Sequence, residues 1–202
     1  ILQHPREEGM PIGTAYMAHL CLPESELHVG TEWDGSAVLE RACSDPDRPP
    51  VLLYPGPDAV DILSEPPPSP VSLIVVDGTW SQAKKVVREN PELAALPCYA
   101  FHAPRPSNYR IRREPSDAYV STLEAIMHVL GAIEGDPARF EALRRPMDAM
   151  VDAQIDAKER ATLAGERPRW VRSRKKDSPY DRLPLDLRES FGRIVLLMAE
   201  AN

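Results

Sequence analysis

The sequence is poor in cysteine. Its three cysteines, Cys21, Cys43 and Cys98, lie far apart along the chain. None of them forms the Cys-x-x-Cys spacing of a structural zinc site, and an odd number gives no disulfide framework. We therefore expect free thiols in a reducing compartment and no bound metal.

Long apolar runs are missing as well. No stretch reaches the roughly 20 residues that a helix needs to cross a bilayer, and no secretory signal is visible. With 43% hydrophobic and 27% charged residues, the composition of the 202-residue chain is ordinary for a soluble globular protein. The sequence thus predicts a cytoplasmic protein with no membrane partner.

Positive charge is in deficit, and this argues against a general nucleic-acid binder. The net charge of the chain is −7, but the two halves differ: residues 1–100 carry 6 Lys/Arg against 15 Asp/Glu, and residues 101–202 carry 18 against 16. A polyanionic partner would therefore have to bind a local basic patch in the second half.

Proline is abundant, with 22 residues, about twice the usual share. Because proline removes a backbone donor and fixes its own φ, this favours short elements joined by stiff loops over long helical bundles. Two apolar runs, 51–54 and 71–76, predict strands buried on both faces, each ending at a turn and followed by a helical pattern. Residues 27–29 and 98–101 are weaker strand candidates.

Apolar residues at helical spacing predict helices over 80–88, over 121–131 and over 137–163, the last interrupted near Pro146. A further helix is predicted over 187–198. Strands that alternate with helices indicate an α/β fold with a mainly parallel sheet and flanking helices. We expect one domain over 1–163, with a basic segment and terminal helix over 164–202 packed on it.

In open α/β sheets, ligands bind outside the carboxyl ends of the strands. This rule selects two loops, 53–56 and 76–80. In the second loop, Asp77 offers a carboxylate, Gly78 lets a ligand approach the backbone, and Thr79 can cap the helix that begins at Trp80. The spacing alone leaves open that Asp77 and Thr79 are only turn and cap residues.

Asp77-Gly78-Thr79-Trp80 resembles the D-x-T-W signature of the DTW family, which follows a hydrophobic strand and opens a helix. Four further segments match that family in the expected order between residues 1 and 135. They are Gln3-His4-Pro5 with Gly13-Thr14, Leu53-Tyr54-Pro55, Tyr109-Arg110-Ile111-Arg112, and Ser121-Thr122-Leu123-Glu124-Ala125.

The resemblance implies a SPOUT-like trefoil-knot domain that binds S-adenosyl-L-methionine in its knot loops. It also implies transfer of the 3-amino-3-carboxypropyl group to N3 of a uridine in tRNA, with release of methylthioadenosine. Two alternatives stay open: a SPOUT-type RNA methyltransferase, and a non-catalytic RNA-binding domain with the same fold.

By this resemblance, the cofactor lies between loops 53–56 and 76–80 and the helix start at 120–124. The residues expected to bind it are Leu53, Tyr54, Pro55, Gly56, Val76, Thr79, Trp80, Val120, Ser121 and Thr122. We expect Asp77 to remove the N3 proton, with Glu124 as the second carboxylate candidate. Ser121 and Glu124 also fit a capping box, which would give Glu124 a structural role instead.

Two basic clusters are expected to contact RNA phosphates, with Tyr109 as a stacking surface. The first cluster consists of Arg105, Arg110, Arg112 and Arg113. The second has six basic residues over 167–176, of which Arg172, Arg174 and Lys175 are the expected RNA contacts. Charge runs of this kind are usually solvated faces, and the residues alone leave that alternative open.

Overall fold

A parallel sheet of six strands forms the centre of the part of the chain that the structure describes. The computed structural model describes residues 1–10, 13–110 and 120–163. Its strands are β1 (Leu2–Gln3), β2 (His28–Val29), β3 (Pro50–Leu53), β4 (Val60–Asp61), β5 (Ser72–Asp77) and β6 (Cys98–Ala100). They are hydrogen-bonded in the order β2-β1-β5-β3-β6-β4, and every pair is parallel. The predicted α/β fold with a parallel sheet is confirmed.

Helices cover the sheet. They are α1 (Thr14–Cys21), α2 (Ala37–Cys43), α3 (Trp80–Glu89), α4 (Pro91–Ala94), α5 (Thr122–Ile133), α6 (Pro137–Phe140) and α7 (Arg144–Leu163). A short 3-10 helix, Glu141–Leu143, joins α6 to α7. None of the described helices is long and apolar enough to span a bilayer.

Alternating side chains of β5 divide the core into two layers. Successive residues of a strand point to opposite faces, so Val75 packs against one set of helices and Ile74 against the other. The first layer joins α1, α5 and α7 through residues such as Met17, Leu123 and Met147. The second layer joins α2, α3 and α4 through Leu39, Val86 and Leu93 and their neighbours. Burying each large side chain contributes about 1.5–3 kcal/mol.

The bounds of the four predicted strands lie within two residues of the observed strands. The same holds for the helices predicted over 80–88 and 121–131, which correspond to α3 and α5. The expectation that a helix follows β3 was wrong, because the chain runs instead to the short edge strand β4. The interruption of the helix over 137–163 lies at Glu141–Leu143. Pro146 stands in the first turn of α7, where a missing backbone N–H costs little.

Three predictions concern residues outside the described part of the chain. The helix over 187–198 and the unit over 164–202 lie outside the described residues. The trefoil knot also stays a prediction, since segment 111–119 is outside the described path of the chain.

Candidate active site

Two neighbouring strands place Gln3 and Asp77 side by side at the carboxyl edge of the sheet. Each residue ends its strand, β1 and β5 respectively, and the two are register partners. The backbone continues the pairing one step further, because His4 N–H donates to the Asp77 carbonyl at 2.9 Å. Only 4% of Gln3 and 9% of Asp77 is exposed.

The Asp77 carboxylate accepts a hydrogen bond on each oxygen. Thr122 Oγ1 donates to Oδ1 at 2.6 Å, and Gln3 Nε2 donates to Oδ2 at 3.0 Å. These bonds connect Asp77 on β5 to the first turn of α5 and to β1. Thr122 is 45 residues and Gln3 is 74 residues away from Asp77 along the chain. The interpretation of Asp77 as a mere turn residue does not account for this long-range network.

Glu124 lies in the first turn of α5 and closes its capping box. Ser121 Oγ accepts from Glu124 N–H at 3.3 Å, and Glu124 Oε2 accepts from Ser121 N–H at 2.9 Å and from Ser121 Oγ at 2.8 Å. The same carboxylate also holds the preceding loop, since Ser107 Oγ donates to Oε2 at 2.6 Å and Asn108 N–H donates to Oε1 at 2.8 Å.

The Asp77 and Glu124 carboxylates differ in the number of hydrogen bonds that they accept. An ionised carboxylate has about four acceptor sites. Glu124 receives four donors and is 4% exposed, so its acceptor sites are occupied by the protein itself. Asp77 receives two donors from the described residues. Among the described residues, Glu124 therefore holds loop and helix together, and Asp77 has fewer of its acceptor sites occupied.

The loop after Asp77 is built as a helix start. Thr79 Oγ1 accepts from Gln82 N–H at 3.4 Å, and Gln82 Oε1 accepts from Thr79 N–H at 2.6 Å, which completes a capping box for α3. The next residue, Trp80, is 48% exposed. Trp80 therefore presents a large aromatic surface three residues after Asp77 and is not a core residue.

The end of β3 lies next to β5 in the sheet and brings loop 53–56 to the same edge. Leu53 and Tyr54 are half-buried and pack on opposite core layers. Pro55 is exposed, and a side chain built at Gly56 would meet nothing within 4 Å. The predicted cofactor residues Val76 and Val120 are half-buried. The edge thus combines an open loop, an exposed indole and a fixed carboxylate.

The described arginines of the first basic cluster form ion pairs with acidic side chains of the protein. Arg105 pairs with Glu141, and Arg110 pairs with Asp152 on α7. Both side chains are about half exposed, at 44% and 48%. These pairs tie the loop before residue 111 to the helices beneath it. Arg112, Arg113, Arg172, Arg174 and Lys175 lie outside the described residues.

Tyr109 requires a correction. The sequence predicts a stacking surface for RNA, but Tyr109 is 7% exposed and belongs to the first core layer. The flanking arginines suggested an exposed aromatic ring. The ring instead packs in the core against the helices, and no local sequence pattern indicates this.

Sequence reasoning did not assign Gln3, Ser107 or Asn108 to the site. Gln3 belongs to the Gln3-His4-Pro5 segment, which was its only signal. Ser107 and Asn108 contact Glu124 from a loop 16–17 residues earlier in the chain, and no periodic pattern marks them.

Two further side chains near the core, Cys21 and His128, are uncharged at neutral pH. Burial raises the pKa of the Cys21 thiol to about 11, so it is protonated at neutral pH. Burial also lowers the pKa of His128, which stays neutral beside the Phe101 ring. Among the described residues, no group of three His, Cys, Asp or Glu side chains could hold a metal ion.

Comparison with known proteins identifies the family of this chain. The sequence model of the DTW domain matches residues 1–155. The tRNA-uridine aminocarboxypropyltransferase 2 of Drosophila melanogaster is 33% identical over 162 residues, which cover 77% of this chain and 64% of that protein. The proteins of the same name from Mus musculus and Macaca fascicularis are 30% and 29% identical over 160 residues, covering 77% of this chain and 54% of each.

This chain thus spans between half and two thirds of the length of these curated relatives. No solved structure matches it significantly. The matched region contains every strand of the sheet and the Asp77 and Glu124 networks. The chain belongs to the DTW domain family.

Proposed function

We propose that this chain transfers the 3-amino-3-carboxypropyl group of S-adenosyl-L-methionine to N3 of a uridine in tRNA, releasing methylthioadenosine. The observation that carries the proposal is the Asp77 carboxylate, fixed at the sheet edge by Gln3 and Thr122, with the remaining acceptor sites not used by the described residues. The names of the relatives support the reaction class.

The edge fits a ligand with an aromatic base and a carboxylate. Trp80 offers an exposed ring for stacking, and the backbone at Gly56 is open. The α5 capping box uses the N–H groups of Ser121 and Glu124, and the N–H of the half-buried Thr122 has no partner among the described residues and could donate to a carboxylate at the helix N-terminus. When bound, the cofactor would supply a carbon already activated by its sulfonium leaving group.

The chain must then position N3 and remove its proton. A carboxylate only accepts hydrogen bonds, and N3 of uridine carries a hydrogen, so the two are complementary. A positioned general base is worth about 10²- to 10⁴-fold in rate, and alignment of the reacting atoms contributes several kcal/mol more. We assign the base to Asp77, and we assign to Glu124 the task of holding loop 107–108 against α5.

We propose that phosphate contacts come from Arg112 and Arg113 and from Arg172, Arg174 and Lys175. The ion pairs of Arg105 and Arg110 support a role in fixing the loop that leads to residue 111. A tRNA substrate and three free cysteines fit the cytoplasmic location that the sequence predicts.

Mass spectrometry of nucleosides tests the proposal. The protein is incubated with tRNA and S-adenosyl-L-methionine, and both the modified nucleoside and the cofactor product are identified. We expect aminocarboxypropyluridine and methylthioadenosine, with turnover of Asp77→Asn lowered at least about 10²-fold. Asp61→Asn is the matched control, because Asp61 also ends a parallel strand but is exposed.

Each of three other outcomes would contradict one part of the proposed function. S-adenosylhomocysteine as the product would indicate a methyltransferase. Binding of tRNA without any product would indicate a non-catalytic RNA-binding domain. Unchanged turnover of Asp77→Asn, together with complete loss in a folded Glu124→Gln protein, would reverse the two carboxylate roles.

A further inference from the structure

Gln3 is a buried amide whose side chain donates a hydrogen bond to the Asp77 carboxylate. It ends β1, is 4% exposed, and its Nε2 lies 3.0 Å from Asp77 Oδ2. Burying an amide side chain costs free energy unless its polar atoms are hydrogen-bonded. The register brings the two side chains together, since partner residues on adjacent strands project to the same face.

The contact restricts how the carboxylate can turn. Rotation of an aspartate about its last torsion is broad, so a single donor would leave the plane of the group loosely defined. Thr122 holds Oδ1 and Gln3 holds Oδ2, so two donors from different elements fix both oxygens. Because both donors are neutral, they orient the carboxylate without cancelling its charge.

We infer that Gln3 is a positioning residue for the transfer reaction: it holds Asp77 in the orientation that receives the proton of the substrate. The inference rests on the proposed function and extends it to a residue on a different strand. Gln3 contributes to the rate through Asp77 and makes no contribution to cofactor affinity.

Gln3→Met tests the inference, because it keeps the length of the side chain and removes the donor. We expect kcat to fall about tenfold, the rate equivalent of one neutral hydrogen bond, with the dissociation constant of S-adenosyl-L-methionine unchanged. In an Asp77→Asn background the same substitution should cause no further loss, since residues acting through one group are not additive. Gln154→Met is the matched control, a second buried glutamine on α7.

Gln3→Glu gives an independent measurement if Gln3→Met does not fold. A protonated carboxyl at this position can donate to Asp77, whereas an ionised one repels it. We therefore expect the ratio of variant to wild-type kcat to fall as pH rises, a change that a purely structural role would not produce.

The outcomes separate this inference from the proposed function. A wild-type protein that forms no product contradicts the proposed function itself. An active wild type with a folded Gln3→Met of unchanged kcat, or with additive losses in the Asp77→Asn background, overturns the inference about Gln3 alone. A Gln3→Glu to wild-type ratio that is flat with pH overturns it as well.

Discussion

Replacing Glu124 by glutamine should destabilise the protein far more than it slows the folded enzyme. The substitution keeps the size of the side chain and exchanges one acceptor oxygen for an NH₂ donor. Glu124 Oε2 receives three donors and Oε1 receives one, from Asn108 N–H. The new amide will therefore keep its oxygen on the crowded side and direct its NH₂ at Asn108.

The cost follows from these contacts. The N–H of Asn108 loses its acceptor and faces another donor, and leaving a part-buried donor unsatisfied costs about 1–3 kcal/mol. The three remaining bonds lose the charge that makes them roughly twice as strong as neutral ones. We expect a total of about 3 kcal/mol, which corresponds to a fall in Tm of roughly 6–12 °C for a domain of this size.

Urea unfolding followed by circular dichroism measures this loss, and single-turnover kinetics at a temperature where the variant is folded measure the chemistry. We expect the rate to stay within a few-fold of wild type. Glu134→Gln is the control, because Glu134 forms an exposed pair with Arg139, and such pairs are worth about 0–1 kcal/mol. Unchanged stability combined with a hundredfold slower reaction would refute the structural role of Glu124.

Three other predictions concern separate parts of the chain. Asn90→Ala should destabilise the fold by about 2–4 kcal/mol in urea unfolding, because the side chain bonds four backbone groups; an unfolding midpoint equal to that of wild type would contradict this. Tyr109→Ala should lower stability by about 3–5 kcal/mol and leave tRNA affinity of the folded protein unchanged in filter binding; weaker binding at equal stability would restore a stacking role. Reversing Arg172, Arg174 and Lys175 to Glu should weaken tRNA binding and flatten its salt dependence by a slope of about one per lost contact; equal affinity at every salt concentration would make that cluster a solvated face.

The parts of the fold that could be predicted are those where one local pattern decides the structure. Residues 71–76 form an apolar run followed by Asp77 and Gly78, and such a run is buried on both faces wherever it lies in a parallel sheet. Strand β1 has only two residues, too few for any periodic pattern to be visible. Its position beside β5 depends on the packing of the whole sheet.

The residues of the site also fall into a predictable and an unpredictable group. Asp77 and the Ser121–Glu124 cap could be predicted, because a strand end and a capping box are local features. Gln3 as a partner of Asp77 could not, since 74 residues separate the two and only the strand order joins them. The ion pairs of Arg105 and Arg110 were missed for a related reason: their acidic partners come 36 and 42 residues later, on other elements.

Four consecutive residues at the start of α5 have four different tasks, which explains why this short segment carries so much of the site. Ser121 caps the helix, and Glu124 closes that cap while holding the preceding loop. Thr122 turns the other way and donates to Asp77, and Leu123 is fully buried in the first core layer. A helix turns by 3.6 residues, so positions one and four residues into the segment face the same side while the two between them diverge. The cap that fixes this helix end therefore also fixes the hydroxyl that orients the base, so that local stability and the geometry of the carboxylate depend on the same turn.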